Sequence, residues 1–557
     1  MATLATTRVD EDEGTEFFEI GDFMAGLISN VDPQDIPIGA CADCENVVFK
    51  PGRMYARKGR STKNASLAAI ADGIAWFYDD NRTKNLVVWA NGNLYSLNTS
   101  TFAATLVASS VYTAGLPVCH TVMFRVLYFS DGATIYTSGG HQSGIRSYDP
   151  VLAPGTAPLV ITSGSAGAIE TPACKVMIAR TGQLLLGRIK YVGGTYAKDS
   201  VLWSNVADPT TIVGTNIMRV GDGQGGEVNS LAYMAISADG VDPSDGVFCG
   251  LSEKGVYVLR GALTTSTLSA VQLNCTAGVL DGNTVKYIPS KTKARIIFLG
   301  SDHRVYSTDG IGCDEISSNI YREIDAYITD RFQSIASPKF GAARNDDDKH
   351  YVLDLGGGRH YCYDWLNENW TKFDRWTSGY WTDDAKDTDG NPVLFVTSHT
   401  ATSIVQQNVG TDDDGYAIAP YWTSGWIRPS KEKNHSFKRV FCSYKTDTGD
   451  VVVTARVKQG TGAYATATFS PPSTSSSGSA LWDAATWDSS VWAGTVVATI
   501  IPYAQKRRLF VSHTNGMRSK LQGRDIQITI SQNKDGWFEP LSVGITYLTG
   551  GRRHAAA

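Results

Sequence analysis

The sequence predicts an all-β chain: a β-propeller of six or seven blades, with an inserted helix and a C-terminal β-sandwich-like domain. Three observations lead there: a hairpin recurs through the middle of the chain, 55 glycines suit a chain dense in turns, and strand-like runs of a different character follow residue 415. The clearest hairpin is Leu86-Val87-Val88-Trp89, then Ala90-Asn91-Gly92-Asn93, then Leu94-Tyr95-Ser96-Leu97. It returns as Val247 to Leu251 with Val256 to Leu259 across Glu253-Lys254-Gly255, and as Ile296 to Leu299 with Arg304 to Ser307 across Gly300-Ser301-Asp302. Weaker copies fall near 126–137, 184–204, 350–364 and 393–406. A repeat of roughly 40 to 60 residues marks an array of β-sheet blades. The Gly, Asn and Asp turns supply the positive φ that tight hairpins need.

The elements then follow in chain order. Residues 1–16, with Asp10, Glu11, Asp12, Glu13 and Glu16, form an acidic start expected to be disordered. Residues 17–70 read as an extended arm and first strand, because Pro33 and Pro37 disfavour a helix. An arm of this kind lies against something else, which makes Phe23, Leu27, Pro33, Ile36 and Pro37 candidate interaction residues. The propeller is expected over 71–415. Within it Ile316, Ile320, Ile324, Ile328 and Phe332 recur every fourth residue, which predicts an amphipathic helix near 314–332. Over 416–557, Val451 to Val457 and Ile526 to Ile530 alternate as strands, and Ser473 to Ser479 is a flexible serine-rich loop. Trp482, Trp487 and Trp492 follow as a cluster suited to packing at a domain junction.

Composition excludes several classes. Charged residues make up 19% and the net charge is −5, so the chain is not built to grip nucleic acid through clustered Lys and Arg. No run approaches the ~20 apolar residues of a membrane span, and Met1 to Glu16 lacks a secretory signal. Nine scattered cysteines point to reduced thiols and synthesis in a cytoplasm. Basic residues gather at Arg428, Lys431, Lys433, Lys438 and Arg439, at Lys506-Arg507-Arg508 and at Arg552-Arg553. Of these, Arg428, Lys431, Lys433, Arg552 and Arg553 are candidate contacts with an acidic partner surface or DNA backbone.

No motif demands catalysis. Gly221-Asp222-Gly223-Gln224-Gly225-Gly226 has GxGxxG spacing, but an extended stretch follows it where a dinucleotide site needs a helix, so it reads as a blade-connecting turn. Cys41-Ala42-Asp43-Cys44 lacks a second pair to complete a zinc site. Asp346-Asp347-Asp348, the run Asp383 to Asp389, and Asp412-Asp413-Asp414 match no calcium loop and read as solvated turn aspartates. No GxSxG or HExxH occurs, and Ser307-Thr308-Asp309-Gly310 only approaches a sialidase Asp-box. The expectation is a non-enzymatic chain with no cofactor and no metal.

Three ordered stretches carry a resemblance. The first is Gly26-Leu27, Asp35 to Ala40, Cys44-Glu45-Asn46-Val47-Val48-Phe49 and Arg57-Lys58-Gly59. The second is Val201 to Asn205, Asp208-Pro209, Val220 to Gly223 and Gly255 to Gly261. The third is Arg524 to Ile528, Ile545-Thr546-Tyr547 and Gly551-Arg552-Arg553. Together they resemble the propeller-bearing tail nozzle (tail tubular) and DNA-stabilisation proteins of short-tailed double-stranded DNA phages. The resemblance implies a structural virion protein, a homohexameric ring below the portal and adaptor through which DNA is retained and then ejected. Its implied partners are further copies of the chain, the adaptor and portal, tail fibres or spikes, and genomic DNA passing without sequence-specific contact. Two rival expectations stand beside it: a propeller that binds or cleaves host-surface glycans, and a head-to-tail adaptor or stabilisation protein.

Overall fold

The computed structural model describes residues 8–10, 15–151, 173–237, 243–429, 434–446, 451–458, 464–469, 522–532 and 538–549. Residues 52, 65, 134–135, 139–140, 192–195, 210, 213–214, 222, 224, 265–266, 290–293, 383 and 388 within these ranges are also outside the description. The chain divides into two units, one of residues 1–58, 369–372 and 411–557, the other of 59–368 and 373–410. No helix among the described residues is long and apolar enough to cross a membrane.

The described residues of the second unit form a seven-bladed propeller, and six of the seven expected hairpins each lie within one blade; in the one near 126–137 only Val126–Ser130 belongs to blade 2, while Tyr136–Ser138 pairs with His141–Ser143 in a separate hairpin. Blade 1 is Ala71–Tyr78, Lys84–Ala90, Asn93–Leu97 and Ala104–Ala108; blade 2 is Cys119–Met123, Val126–Ser130 and Arg146–Tyr148. Blade 3 is Ala173–Arg180, Gln183–Lys190, Tyr196–Trp203 and Ile217–Arg219; blade 4 is Val228–Ser237, Pro243–Leu251, Val256–Arg260 and Ser269–Gln272. Blade 5 is Lys286–Ile288, Arg295–Leu299, Val305–Thr308 and Cys313–Glu315, and blade 6 contains Gly341–Asn345, His350–Asp354 and His360–Asp364. Blade 7 takes Gly379–Trp381, Leu394–Ser398 and Ile404–Gln407, and its fourth strand, Arg60–Asn64, comes from the other end of the propeller sequence. The propeller therefore begins at the closing strand, before residue 71. That strand, Arg-Ser-Thr-Lys-Asn, carries no apolar signal, and none of its five residues is fully buried.

The apolar runs have a geometric cause. Blades pack face to face, so a middle strand buries both of its faces and alternate residues feed two different interfaces. Val87 and Trp89 enter the cluster shared with Leu127 and Phe129 of blade 2, whereas Leu86 and Val88 join Phe395 and Ile404 of blade 7. Leu184 and Leu186 pack towards blade 2 and Leu185 towards blade 4; Cys249 packs towards blade 3 and Phe248 towards Phe298 of blade 5. The hydroxyl of Tyr351 in blade 6 donates to the carbonyl of Thr284, which precedes blade 5, at 2.8 Å. The carboxylate of Asp354 accepts from the backbone N–H of Gly379 and the indole N–H of Trp381, joining blade 6 to blade 7.

The helix spans Tyr321–Ser334 and links blades 5 and 6. It begins later than its isoleucine spacing suggested. Cys313–Glu315 is the outer strand of blade 5, and the Ser317 hydroxyl accepts the Val305 N–H at 2.9 Å, so the turn at 317–320 interrupts the pattern. Ile324 and Ile328 are buried while Phe332 is 46% exposed. His303, whose φ is +65°, rather than Gly300, takes the left-handed turn position, and its ring Nδ1 lies 2.7 Å from Asp325 of the helix.

Among the described residues the first unit holds two five-stranded sheets, the hairpin of Val47–Lys50 with Arg53–Ala56, and the short pair Asp412–Asp413 with Tyr416–Ala417. One sheet has the order Arg8–Asp10, Thr15–Ile20, Phe538–Thr549, His435–Thr446 and Gln522–Gly523. The other has the order Cys41–Glu45, Tyr421–Ser424, Asp525–Gln532, Val451–Lys458 and Tyr464–Phe469. The N-terminal arm is thus built into the same unit as the C-terminal strands, and Arg8–Asp10 pairs with Thr15–Phe17 inside the stretch expected to be disordered. The serine-rich loop, the tryptophans at 482–492 and the basic cluster at 506–508 lie outside the described residues.

Candidate functional site

The arm residues singled out from the sequence divide into anchors and a groove. Phe23 and Leu27 are buried; Phe23 packs edge-on against Trp422 at 5.1 Å, and the Leu27 N–H donates to the Trp370 carbonyl at 2.9 Å. They fasten the arm to its own unit and are not available to a partner. Gly26, at φ +67°, allows this approach, since a Cβ there would come within 2.7 Å of Asn369 Cβ.

Ile36, Pro37 and Arg428 meet around a groove of about 320 Å³, lined also by Phe18, Ile20, Gln34, Ile38 and residues 424–427. The loop over it is fixed by turns: the Asp35 N–H donates to the Asp32 carbonyl and the Ala40 N–H to the Pro37 carbonyl. The Trp426 N–H donates to the carbonyl of Pro33, whose ring is exposed. Gly425 has no side chain because Ile36 would occupy its Cβ position, 2.8 Å away. Ile38 remains 53% exposed at the rim. Arg428 is committed within the chain: it donates to both oxygens of Asp525, at 2.6 and 3.1 Å, and to Gln34 at 2.7 Å, and the Asp525 hydrogen bonds raise its pKa further. Lys431, Lys433, Arg552 and Arg553 lie outside the described residues.

The remaining motifs take structural positions. Gly221, Gly223 and Gly226 all have positive φ in the connection from Ile217–Arg219 to Val228–Ser237, which is the blade-connecting turn expected. Cys41 and Cys44 are buried free thiols. The Asp309 carboxylate of the Asp-box-like stretch accepts the N–H groups of Ile311 and Gly312, closing a turn between two strands of blade 5. Asp387 likewise accepts from the N–H groups of Asp389 and Asn391. Asp413 departs from expectation: it is not a solvated turn residue but 1% exposed and paired with Arg57.

One site left no trace in the sequence reading, the central channel of the propeller. Its volume is about 570 Å³, and all seven blades contribute, from Gly73 and Ile74 of blade 1 to Tyr380 and Trp381 of blade 7. Among the described residues its lining includes four cations, Lys175, Arg188, Lys286 and Lys339, and the carboxylate Asp281, with His120 as a further ring. Arg188 is placed by a bulge: the strand register shifts between Gly187 and Ile189, and Arg188 sits at φ +52°. It pairs with Glu227, which Lys198 shares at 2.5 Å. Burial and the neighbouring Arg188 lower the pKa of Lys175. The Lys339 ammonium lies over the Tyr380 ring at 5.4 Å. These residues come from unlike elements, Lys175 from the eight-residue first strand of blade 3, Lys286 from the three-residue first strand of blade 5 and Lys339 from the segment before blade 6, so no common periodicity marks them; the Arg188 bulge is invisible without the pairing register.

No family model matches the sequence, and no curated protein matches it. Among solved structures, the chain is similar to the β-propeller domain of Myceliophteria thermophila Cps50 (Swd1). The TM-score is 0.38 and the identity 6%, over 63% of this chain and 99% of that one.

Proposed function

We propose that the chain is a structural protein of a short-tailed phage virion, a nozzle subunit that forms a ring below the adaptor and lets genomic DNA through. The observation that supports this reading is the way the three resembling stretches are built into the fold. The first and third, far apart in sequence, share one unit: Cys41–Glu45 pairs with Tyr421–Ser424, which pairs with Asp525–Gln532. Asn46 and Arg57 of the first stretch are buried together, with Arg57 Nε donating to Asn46 Oδ1 at 2.7 Å. Residues of the second stretch, Val201, Trp203, Val220, Tyr257 and Leu259, share a single core cluster between blades 3 and 4. The motif residues are thus scaffold, as a ring subunit whose work is geometric requires. The groove at Ile36 and Pro37, with the exposed Ile38 beside it, is the surface we assign to a neighbouring subunit or adaptor.

Negative-stain microscopy of the purified full chain, with mass spectrometry of virions from the source, tests this. Rings, and the chain among virion proteins, are the expected result. A persistent monomer absent from particles would overturn it, and hydrolysis of a host glycan would favour the enzymatic rival.

A further inference from the structure

We infer that the central channel of the propeller binds a small polyanion carrying several phosphate groups, held by Lys175, Arg188, Lys286 and Lys339. The site is independent of the tail assignment.

The space is suitable: about 570 Å³ lies within the range of roughly 300–1,000 Å³ typical of small-molecule sites. The charges come from separate elements around the axis. Lys175 is on the first strand of blade 3, Arg188 on its second, Lys286 on the first strand of blade 5, and Lys339 precedes blade 6. Cations converging from different blades repel one another across a shared space, and a multiply charged anion relieves that repulsion.

Three of the groups, Lys175, Arg188 and Lys339, are positioned by surroundings that can be named. The stem of Lys175 lies against Gly132, where a Cβ would fall 2.2 Å from Lys175 Cγ, so the glycine leaves room for the lysine. Arg188 owes its direction to the bulge, where it holds a left-handed conformation that is strained for a non-glycine residue. Glu227 does not cancel Arg188, because it also serves Lys198. The aromatic face of Tyr380 holds Lys339 without neutralising it. Among the described lining residues Asp281 is the carboxylate, while Glu227 and Asp131 act on Lys175 from outside the lining. Asp281 Oδ1 accepts the Asn283 N–H at 3.0 Å and Oδ2 the Phe340 N–H at 3.2 Å, and burial raises its pKa against those hydrogen bonds. Several cations rather than one select for charge number, so a triphosphate group should be preferred over orthophosphate or a monocarboxylate.

The test is calorimetric titration of the full-length protein with sodium triphosphate, ATP and orthophosphate. Saturable one-to-one binding of triphosphate, weakened by added salt, is expected, with orthophosphate much weaker. The double variant Lys175→Ala/Lys339→Ala should bind about tenfold more weakly or worse, and Lys175→Arg/Lys339→Arg should retain binding. Lys254→Ala, an exposed lysine outside the channel lining, should leave the affinity unchanged. Should the alanine variant fail to fold, acetylation of the wild-type protein gives the same answer by mass spectrometry: triphosphate should protect Lys175 and Lys339 selectively. Absence of saturable binding at millimolar triphosphate overturns the inference. So does equal affinity in wild type and the alanine variant, or acetylation unaffected by the ligand. ATP binding as tightly as triphosphate extends the ligand to nucleotides; ATP binding that survives the double variant counts against the channel.

Discussion

Arg57 and Asp413 form a bidentate ion pair buried within the first unit, with Nη1 to Oδ1 at 2.9 Å and Nη2 to Oδ2 at 2.6 Å. Both side chains are essentially inaccessible, at 0% and 1% exposure. Two further donors of Arg57 are engaged as well: Nε donates to Asn46 Oδ1, and Nη1 also to the Lys58 carbonyl at 3.0 Å. Asn46 holds a left-handed φ of +59° between Cys41–Glu45 and Val47–Lys50, and its carbonyl accepts the Arg57 N–H. The pair therefore fixes a backbone conformation in the arm as well as joining it to the short strand Asp412–Asp413, at a separation of 356 residues.

Removing one member leaves the other charged and dehydrated, which costs about 3–5 kcal/mol for a buried pair. Asp413→Ala should therefore lower the stability of the first unit by that order in urea unfolding, and Arg57→Lys should do so nearly as strongly, because an ammonium cannot reproduce the two-pronged contact. The double variant Arg57→Met/Asp413→Leu should recover most of the loss. A single variant indistinguishable from wild type would show that the pair is not formed in solution.

The propeller should lose stability in mild acid through His399. Its ring lies edge-on to Tyr380 at 4.9 Å, and burial lowers its pKa from 6.5 to about 4. With the folded value below the unfolded one, the unfolded chain takes up the proton first as pH falls. Stability is full above about 6.5 and declines between 6.5 and 4, by at most about 3 kcal/mol. Asp354 acts at lower pH: burial alone would raise its carboxyl, but His360, Ser378 and the Gly356 N–H outweigh this and hold it below its ordinary value of 3.8. Its contribution is present above 3.8 and disappears as pH falls through the depressed folded value. Melting temperatures of wild type and His399→Gln from pH 7.5 to 4.5 check the first window; parallel curves would remove His399 as the cause.

The propeller was legible where physics writes a repeated signal. A strand between two blades buries both faces, and Leu86-Val87-Val88-Trp89 shows this as an unbroken apolar run that a two-residue turn then reverses. The closing strand Arg60–Asn64 buries little and so has no such signature; only its pairing with Ile404–Gln407 reveals it. Asp413 and Arg57 illustrate a different limit. An aspartate in a run of three before a glycine has the composition of an exposed turn, and nothing local states that an arginine from the arm will reach it. The groove was partly legible, since Pro33 and Pro37 mark an extended segment and Ile36 its apolar content. The channel was not, because convergence of seven blades on one axis is a property of closure, and Lys175, Arg188, Lys286 and Lys339 have no common spacing.

The turn between the first two strands of blade 2 is a site where the native sequence forgoes stability. Met123 pairs with Val126 across a two-residue loop, and both loop residues, Phe124 at φ +51° and Arg125 at φ +63°, are left-handed. That is the turn geometry for which Asn-Gly is preferred, and the one that Asn91-Gly92 adopts in blade 1 at φ +52° and +75°. A non-glycine residue in this conformation costs roughly 1–2 kcal/mol, and Phe124 is 54% exposed, so it recovers little by burial. Arg125 offsets some of the strain by donating to the Asp80 carbonyl at 2.9 Å and standing 4.0 Å from its carboxylate, an exposed contact worth about 0–1 kcal/mol. Relief of strain exceeds that loss, so Phe124→Asn/Arg125→Gly should raise the stability of the propeller by about 1 kcal/mol and its melting temperature with it. Phe124→Asn alone should give part of the gain while keeping the Asp80 contact. A fall in melting temperature for both variants would mean that the aromatic ring and the guanidinium contribute more than their exposure allows, and would point to a partner covering this turn.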